Sequence, residues 1–233
     1  MPTVLITGAN RGLGLELAAQ YAALGWRVLA ACRRPDAATA CSALAGDVQL
    51  LRIDVADHDS IAAAAGQLAG QPIDVLVNNA GLFGPKRQAE HDLRQTFGHV
   101  DYAIAHALYQ VNALGPLRMA EAFVEHVAAS HLRKIVTLTS SVGSIAGSTG
   151  GLYAYRSSKA AANMVMRSLS FDLADRGIAT AALCPGWVST DMGGPAAPLS
   201  PQESVVGLIA VIERLEAANS GKFWSYAGQE LAW

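Results

Sequence analysis

Along this chain, short apolar runs alternate with longer stretches of helical periodicity. The runs Val4–Thr7, Arg27–Cys32, Gln49–Ile53, Val75–Asn78, Lys134–Thr139, Ala179–Leu183 and Phe223–Tyr226 are brief and largely aliphatic, the pattern of buried strands. Helical patterning fills Leu13–Leu24, Asp36–Leu44, His58–Leu68, Tyr102–Ala129, Tyr155–Arg176 and Pro201–Ala217. In the first of these, Leu13, Leu17, Tyr21 and Leu24 recur at helical spacing and Gly25 ends the run. Ser200-Pro201-Gln202-Glu203 reads as a helix start, with Ser as N-cap, Pro in the first turn and an acid three residues on. Strands alternating with helices predict an α/β fold: one Rossmann-type, doubly wound parallel sheet of about seven strands, with helices on both faces and right-handed crossovers. No repeat or linker interrupts the pattern, so residues 1–233 read as a single domain.

Composition narrows the partners. A chain of 233 residues can bury a full core, and 52% hydrophobic against 15% charged residues excludes a disordered chain. A net charge of −2 offers nothing to attract nucleic acid or an anionic membrane. No run is long and apolar enough to span a bilayer, and Met1 leads straight into a strand without a basic leader. The three cysteines, Cys32, Cys41 and Cys184, are scattered, which fits a reduced, cytoplasmic setting. His58, His91, His99, His106, His126 and His131 form no ligand pair and read as surface or helix-packing residues, so no metal is expected.

Ligands of such sheets sit beyond the carboxyl ends of the strands. That rule gathers Gly8–Gly14, Arg33, Asp54, Asn78–Gly81, Ser140 or Ser141 and Pro185–Thr190 around one crevice. The segment Gly8-Ala9-Asn10-Arg11-Gly12-Leu13-Gly14 lies between the first strand and the first helix. There, glycines allow the backbone to approach a pyrophosphate and free N–H groups at the helix start receive it. Its spacing is G-x-x-x-G-x-G rather than the commoner G-x-G-x-x-G. Further along, Tyr155 and Lys159 stand four apart on one helix face. A neighbouring ammonium lowers a phenol's pKa, so the pair is a candidate general acid/base with its tuning charge alongside. Tyr153 lacks that partner, since Ser157 is its fourth neighbour, and reads as lining or packing.

The cofactor class follows from the tip of the second strand, Ala31-Cys32-Arg33-Arg34-Pro35. An NAD site places a carboxylate there for the ribose 2′-OH. Here the first acid is Asp36, which reads as a helix N-cap. Arg33, and Arg11 from the opposite side, are placed to pair with a 2′-phosphate, which favours NADP (NADPH) over NAD.

Thr7-Gly8-Ala9-Asn10-Arg11-Gly12-Leu13-Gly14, Asn78-Asn79-Ala80-Gly81, Asn112, Ser141, Tyr155-x-x-x-Lys159 and Cys184-Pro185-Gly186 stand in the order of the short-chain dehydrogenases/reductases, which the whole chain resembles. The stretches Gly150–Arg156, Pro185–Gly194 and Ser220–Trp224 are most similar to the C-factor and Sniffer-type carbonyl reductase branch. The resemblance implies a reductase of small carbonyl compounds, or an oxidant of the matching alcohols. In it Tyr155 transfers the proton, Lys159 tunes it and holds the nicotinamide ribose, Ser141 bonds the substrate oxygen and Asn112 anchors a water leading to Lys159. Ser140 and Ser144 compete with Ser141 for the serine role. Basic residues at both Arg11 and Arg33 accompany NADP use in such relatives.

By the same resemblance Asp54 bonds the adenine, Val55 packs on it, and Asn78, Asn79, Ala80 and Gly81 border a ribose. Asp54 reads equally well as a turn or cap residue. Pro185, Gly186, Val188 and Thr190 are implied to pack on the nicotinamide and its carboxamide. Asp191–Leu199 is a short loop beside the substrate, where Phe83, Trp187 and Met192 are candidate lining. Relatives also associate through the helices at Tyr102–Ala129 and Tyr155–Arg176, so a homodimer is expected. A nucleotide-binding regulator or C-factor-like signalling protein with little turnover is the alternative function.

Overall fold

A computed structural model describes residues 1–85 and 92–233. His91, read above as a surface or packing histidine, lies outside the described residues. Seven strands form one sheet: β1 (Thr3–Thr7), β2 (Arg27–Cys32), β3 (Val48–Arg52), β4 (Val75–Asn78), β5 (Lys134–Leu138), β6 (Ala179–Cys184) and β7 (Lys222–Ser225). Their order is β3-β2-β1-β4-β5-β6-β7 and every pairing is parallel. β4, β5 and β6 are buried along their full length, which is why they read as continuous apolar runs rather than alternating ones.

Helices cover both faces: α1 (Gly12–Ala23), α2 (Thr39–Ser42), α3 (His58–Gln67), α4 (Tyr102–Tyr109), α5 (Gly115–Ala128), α6 (Tyr153–Asp172) and α7 (Pro201–Glu213). Alternate strand residues face opposite layers. Val4, Ile6, Val28 and Ala30 pack with Leu17 and Tyr21 of α1 and Leu208 of α7. Leu5, Leu29 and Ala31 pack on the other side with Ile61, Phe123 and Met166 of α3, α5 and α6. The expected start of α7 is present as a full capping box: Ser200 Oγ accepts from Glu203 N at 3.2 Å, and Glu203 Oε2 accepts from Ser200 N at 3.1 Å.

Two elements depart from the sequence pattern. Asp36–Leu44 is not one helix but a 3₁₀ turn at Pro35–Ala37 followed by the single turn of α2. Asp36, expected as an N-cap, lies within the 3₁₀ turn, and α2 is entered from Ala38 without a side-chain cap. Ala38 is buried in a non-helical conformation, so its packing prevails over the helical preference of an alanine-rich run. Tyr102–Ala129 is likewise broken, by a π turn at Gln110–Leu114. Pro116 lacks an N–H for the carbonyl four residues back, that of Asn112, and the helix widens where that bond is missing.

Among the described residues no helix is long and apolar enough to cross a membrane. The strand order reverses between β1 and β4, so connections leave the sheet in opposite directions there and open a crevice at the carboxyl ends. The opposite, amino end of the strands is held differently. Lys134, buried at the start of β5, donates through Nζ to the carbonyls of Ile212 at 2.8 Å and Glu213 at 2.9 Å and so closes the end of α7. Replacing Lys134 with Met leaves both carbonyls without that donor. The expected result is a loss of about 1–3 kcal/mol in urea unfolding, with nucleotide affinity unchanged because the crevice is at the opposite end of the strand.

Candidate active site

The crevice is built around Thr7, the last residue of β1. Thr7 Oγ1 accepts from the backbone N–H groups of Asn79 at 3.1 Å and Ala80 at 3.0 Å. Asn79 Nδ2 donates back to the carbonyls of Thr7 at 2.8 Å and Gly8 at 3.2 Å. The glycine turn is therefore stitched to the chain leaving β4. Gly8 has φ +67°, and a Cβ there would lie 3.0 Å from Ala80 Cα. A Cβ on Gly14 would strike the Gly8 carbonyl. These positions admit only glycine, by conformation at Gly8 and by close approach at Gly14.

α1 begins at Gly12 from Arg11, without a side-chain cap and with no acid in its first turn. α3, α4 and α7 begin instead with capping side chains from Asp57, Asp101 and Ser200. An uncapped helix start behind a glycine cradle fits the pyrophosphate of a dinucleotide. Asn10, Arg11 and the half-buried Leu13 rim this turn.

At the tip of β2, Arg33 is exposed and makes no hydrogen bond or ion pair to another described side chain. Arg11 is differently placed: its Nη1 lies 3.2 Å from Asp191 Oδ2, an exposed pair bridging the glycine turn and the loop after β6. One Asp54 carboxylate oxygen accepts from Ala56 N at 3.0 Å, an Asx turn, which is the turn role the sequence left open. Val55 is buried against Gly115 at the start of α5. The Asn78 side chain is buried and donates to Thr137 Oγ1 of β5 at 3.3 Å, so it ties strands together; of the two asparagines, Asn79 borders the crevice.

On the other side of the switch point, α6 presents Tyr155 and Lys159 on one face, both buried. Lys159 Nζ donates to the Leu138 carbonyl at 2.9 Å and stands 5.9 Å from the Tyr155 ring centroid. Phe83 packs on that ring at 4.5 Å. Asn112, in the π turn, exchanges bonds of 2.8 Å with both the N–H and the carbonyl of Leu82 and donates to Ser158 Oγ at 3.0 Å. A Cβ on Gly81 would lie 3.4 Å from Asn112 Oδ1 and 3.5 Å from Lys159 Nζ, so this glycine passes between them.

The serine beside the phenol is Ser140. Its side chain is half-buried and interacts with Tyr155, whereas Ser141 is exposed and offers only its backbone N–H, to Cys184 Sγ at 3.1 Å. Ser144 is engaged elsewhere, donating to the Trp233 carbonyl and accepting from Gly147 N. The 3₁₀ turn Ser141–Gly143 follows β5, and its cap is Ser140, whose Oγ accepts from Val142 N at 3.4 Å. Gly143 lets that turn lie against α6, since a Cβ there would come within 2.9 Å of the Lys159 backbone.

The electrostatics also differ from the expected tuning. Burial pushes the Tyr155 phenol up to about 12, and the Ser140 contact offsets only part of this. Burial lowers the Lys159 ammonium to about 8. Both shifts have one cause: two ionisable groups leave water together with no compensating charge within contact. In the ligand-free protein, desolvation prevails over the pull of Lys159 on its neighbour.

Tyr153 is exposed, 6.2 Å from the Phe97 ring, and lines an open hollow of about 720 Å³ with Phe97, Tyr102, His106 and Tyr109; Tyr155 does not border it. Pro185 and Gly186 follow β6; the Pro185 carbonyl accepts from buried Ser204 at 2.7 Å, and Gly186 has φ +83°. Val188 is buried and bridges to Leu199, while Thr190 Oγ1 accepts from Gly193 N at 3.2 Å, so Asp191–Leu199 folds back on itself without a helix. Trp187 and Met192 are exposed there. Among the described residues no three His, Cys, Asp or Glu side chains group as a metal site would require. Gln95, which no motif singles out, is buried against the start of α6 and bonded to Tyr155 N.

The short chain dehydrogenase family matches residues 2–198, and the chain belongs to that family. Over 163 residues it is 47% identical to the C-signal protein of Myxococcus xanthus, covering 70% of this chain and 93% of that one. Among solved structures it is similar to the NADPH-bound carbonyl reductase from chicken fatty liver, with TM-score 0.90 and 32% identity over 100% of this chain and 99% of that chain. It is similar also to the carbonyl reductase Sniffer of D. melanogaster, with TM-score 0.89 and 33% identity over 100% of both chains.

The Lys159 shift has a stability signature. Its folded pKa of about 8 lies below the ordinary lysine value of 10.5, so the folded state binds fewer protons between those values. The stability this residue contributes is present above the unfolded pKa and is lost as pH falls through about 8. Urea unfolding of the ligand-free protein, taken as the wild type minus Lys159→Met difference, is expected to rise with pH across that window. A flat difference would show that the ammonium is not desolvated.

Proposed function

We propose that this member of the short-chain dehydrogenase family is an NADP(H)-dependent oxidoreductase acting between a carbonyl and the corresponding secondary alcohol, with Tyr155 as general acid/base. The observation that carries this reading is the meeting, at one switch-point crevice, of an uncapped helix start behind a glycine cradle with the buried Tyr155 and Lys159 and the half-buried Ser140. When bound, the nicotinamide supplies or accepts the hydride. Everything else falls to the chain.

Gly8, Asn10, Gly12, Leu13 and Gly14 would hold the pyrophosphate, Asp54 and Val55 the adenine side, and Asn79, Ala80 and Gly81 the adjoining ribose. Pro185, Gly186, Val188 and Thr190 would wall the nicotinamide. Ser140 would bond the substrate oxygen, steadying the charge that develops on it. Tyr155, protonated in the resting site, donates to that oxygen as it becomes an alkoxide. Ligand hydroxyl groups reaching the remaining Lys159 donors would favour its charged form, and that charge would then lower the phenol as the spacing on α6 suggests. Asn112 has both side-chain ends committed to Leu82, so a water serving Lys159 would use its main-chain carbonyl, left without its usual donor by Pro116.

NADP is supported by Arg33, which is exposed, makes no ion pair among the described residues and is followed by no carboxylate at the strand tip, and by the NADPH bound to the chicken reductase. The Arg11–Asp191 pair is exposed on both sides, so it is worth little and is readily exchanged for a phosphate. A homodimer through the outer face of α6 is supported by the exposed Met164 and Phe171, whereas Ala162 and Met166 belong to the core. The likeness to the C-signal protein favours, as a second reading, a signalling protein that binds nucleotide with little turnover.

Oxidation of NADPH over a panel of aldehydes and ketones separates the two readings. Tyr155→Phe is expected to keep NADPH binding and lose about 10²–10⁴-fold in turnover; retained turnover refutes the role. Ser140→Ala should fall about 10²–10³-fold while Ser141→Ala stays near wild type; the reverse order would restore Ser141. For the cofactor, Arg33→Asp is expected to weaken NADPH on the order of 10- to 100-fold and leave NADH little changed. An unaltered preference would remove Arg33 from the 2′-phosphate site.

A further inference from the structure

α6 carries Tyr155, yet its N-terminus has no cap of its own. It begins at Tyr153 after Leu152, a non-glycine residue in the left-handed region at φ +49°, whose side chain has no group to bond the free N–H donors. Those donors are met from sixty residues away in sequence. The Gln95 carbonyl accepts from Tyr153 N at 3.0 Å, and Gln95 Oε1 accepts from Tyr155 N at 3.0 Å. The other end of the same amide, Nε2, donates to the Phe83 carbonyl at 2.8 Å, and the Phe83 ring is the one packed on the phenol. Gln95 is 4% exposed. Gly84 makes room for it, since a Cβ there would stand 3.0 Å from Nε2.

We infer that Gln95 is a positioning residue for the proton-transfer step: its side-chain amide spans the backbone of Tyr155 and the backbone of the residue stacked on it. The inference rests on the reading of Tyr155 as general acid/base. The direction of a side chain is set by its backbone, and the N–H of Tyr155 itself is what Gln95 holds. The acceptor and the donor of one planar amide fix the spacing between α6 and the Leu82–Gly84 segment that follows β4. Between them the phenol is stacked and kept dry. Without the amide, a buried N–H and a part-buried carbonyl lose their partners, and both walls of the Tyr155 site can shift. Displacement of a reacting group by about 1 Å costs on the order of 10²-fold in rate.

The test uses the whole chain with three variants. Gln95→Ala removes both bonds. Gln95→Glu retains the acceptor for Tyr155 N and loses the donor to Phe83. Gln95→Asn is shorter and reaches only one partner. Expected for Gln95→Ala is a kcat reduced on the order of 10²-fold, with NADPH Kd and substrate KM within a few-fold of wild type. Its alcohol-oxidation pH profile should move to lower pH, because a wetter phenol loses the desolvation that raises it. Gln95→Glu, if folded, should recover part of kcat relative to Gln95→Ala. Folding is checked by thermal melting, and amide hydrogen exchange at Tyr153 and Tyr155 is read in parallel. Faster exchange at Tyr155 in Gln95→Ala supports the clamp independently of turnover. Wild-type kcat and an unmoved pH profile in folded Gln95→Ala overturn the inference, and so does unchanged protection of the Tyr155 amide. A wild type inactive on the whole panel overturns the reading of Tyr155 instead, and the exchange data then decide the clamp alone.

Discussion

The geometry of the crevice depends on the exchange of hydrogen bonds between Thr7 and Asn79. At the switch point the chains leaving β1 and β4 diverge, and nothing in the sheet itself fixes how far. Thr7 Oγ1 takes two successive N–H groups, Asn79 returns its amide to two carbonyls, and Gly8 lies in contact with Ala80. A buried polar group left without its partner is costly, so a fully reciprocated set holds both lips at one separation. The cradle before α1 and the segment that leads to Phe83 are referred to this contact.

The second organising feature is desolvation. Tyr155, Lys159, Asn112 and Ser158 are all buried, and the ammonium has a carbonyl rather than a carboxylate for company. Burial drives the phenol up and the ammonium down, each toward its neutral form. The asparagine of the π turn bonds the Leu82 backbone and the Ser158 hydroxyl, and the glutamine at the head of α6 spends its side-chain amide on backbone, which ties this dry region to its neighbours.

The alternation of runs and periods made the strand and helix order legible, with strand ends displaced by about a residue. The exceptions have local causes: Pro116 opens the helix at Asn112, and the burial of Ala38 shortens the Asp36 region to a single turn. The glycine cradle and the Tyr155/Lys159 face were visible because glycine and helical spacing carry their geometry with them. Ser140 was not separable from Ser141, because adjacent identical residues differ only in which one caps the turn after β5. Gln95 carried no signal at all, since its partners are sixty residues distant and its own segment is neither helix nor strand.

The amino-acid sequence alone determined the layers, the strand order class, the place of the crevice and the residue types that meet there, because these follow from periodicity and from conformations only certain residues adopt. The tertiary structure decided which serine caps the turn after β5, which asparagine borders the cradle, which amide caps α6 and in which direction burial shifts the titrating pair. Those outcomes depend on distances across the chain and on the removal of water, and neither is a property of neighbouring residues.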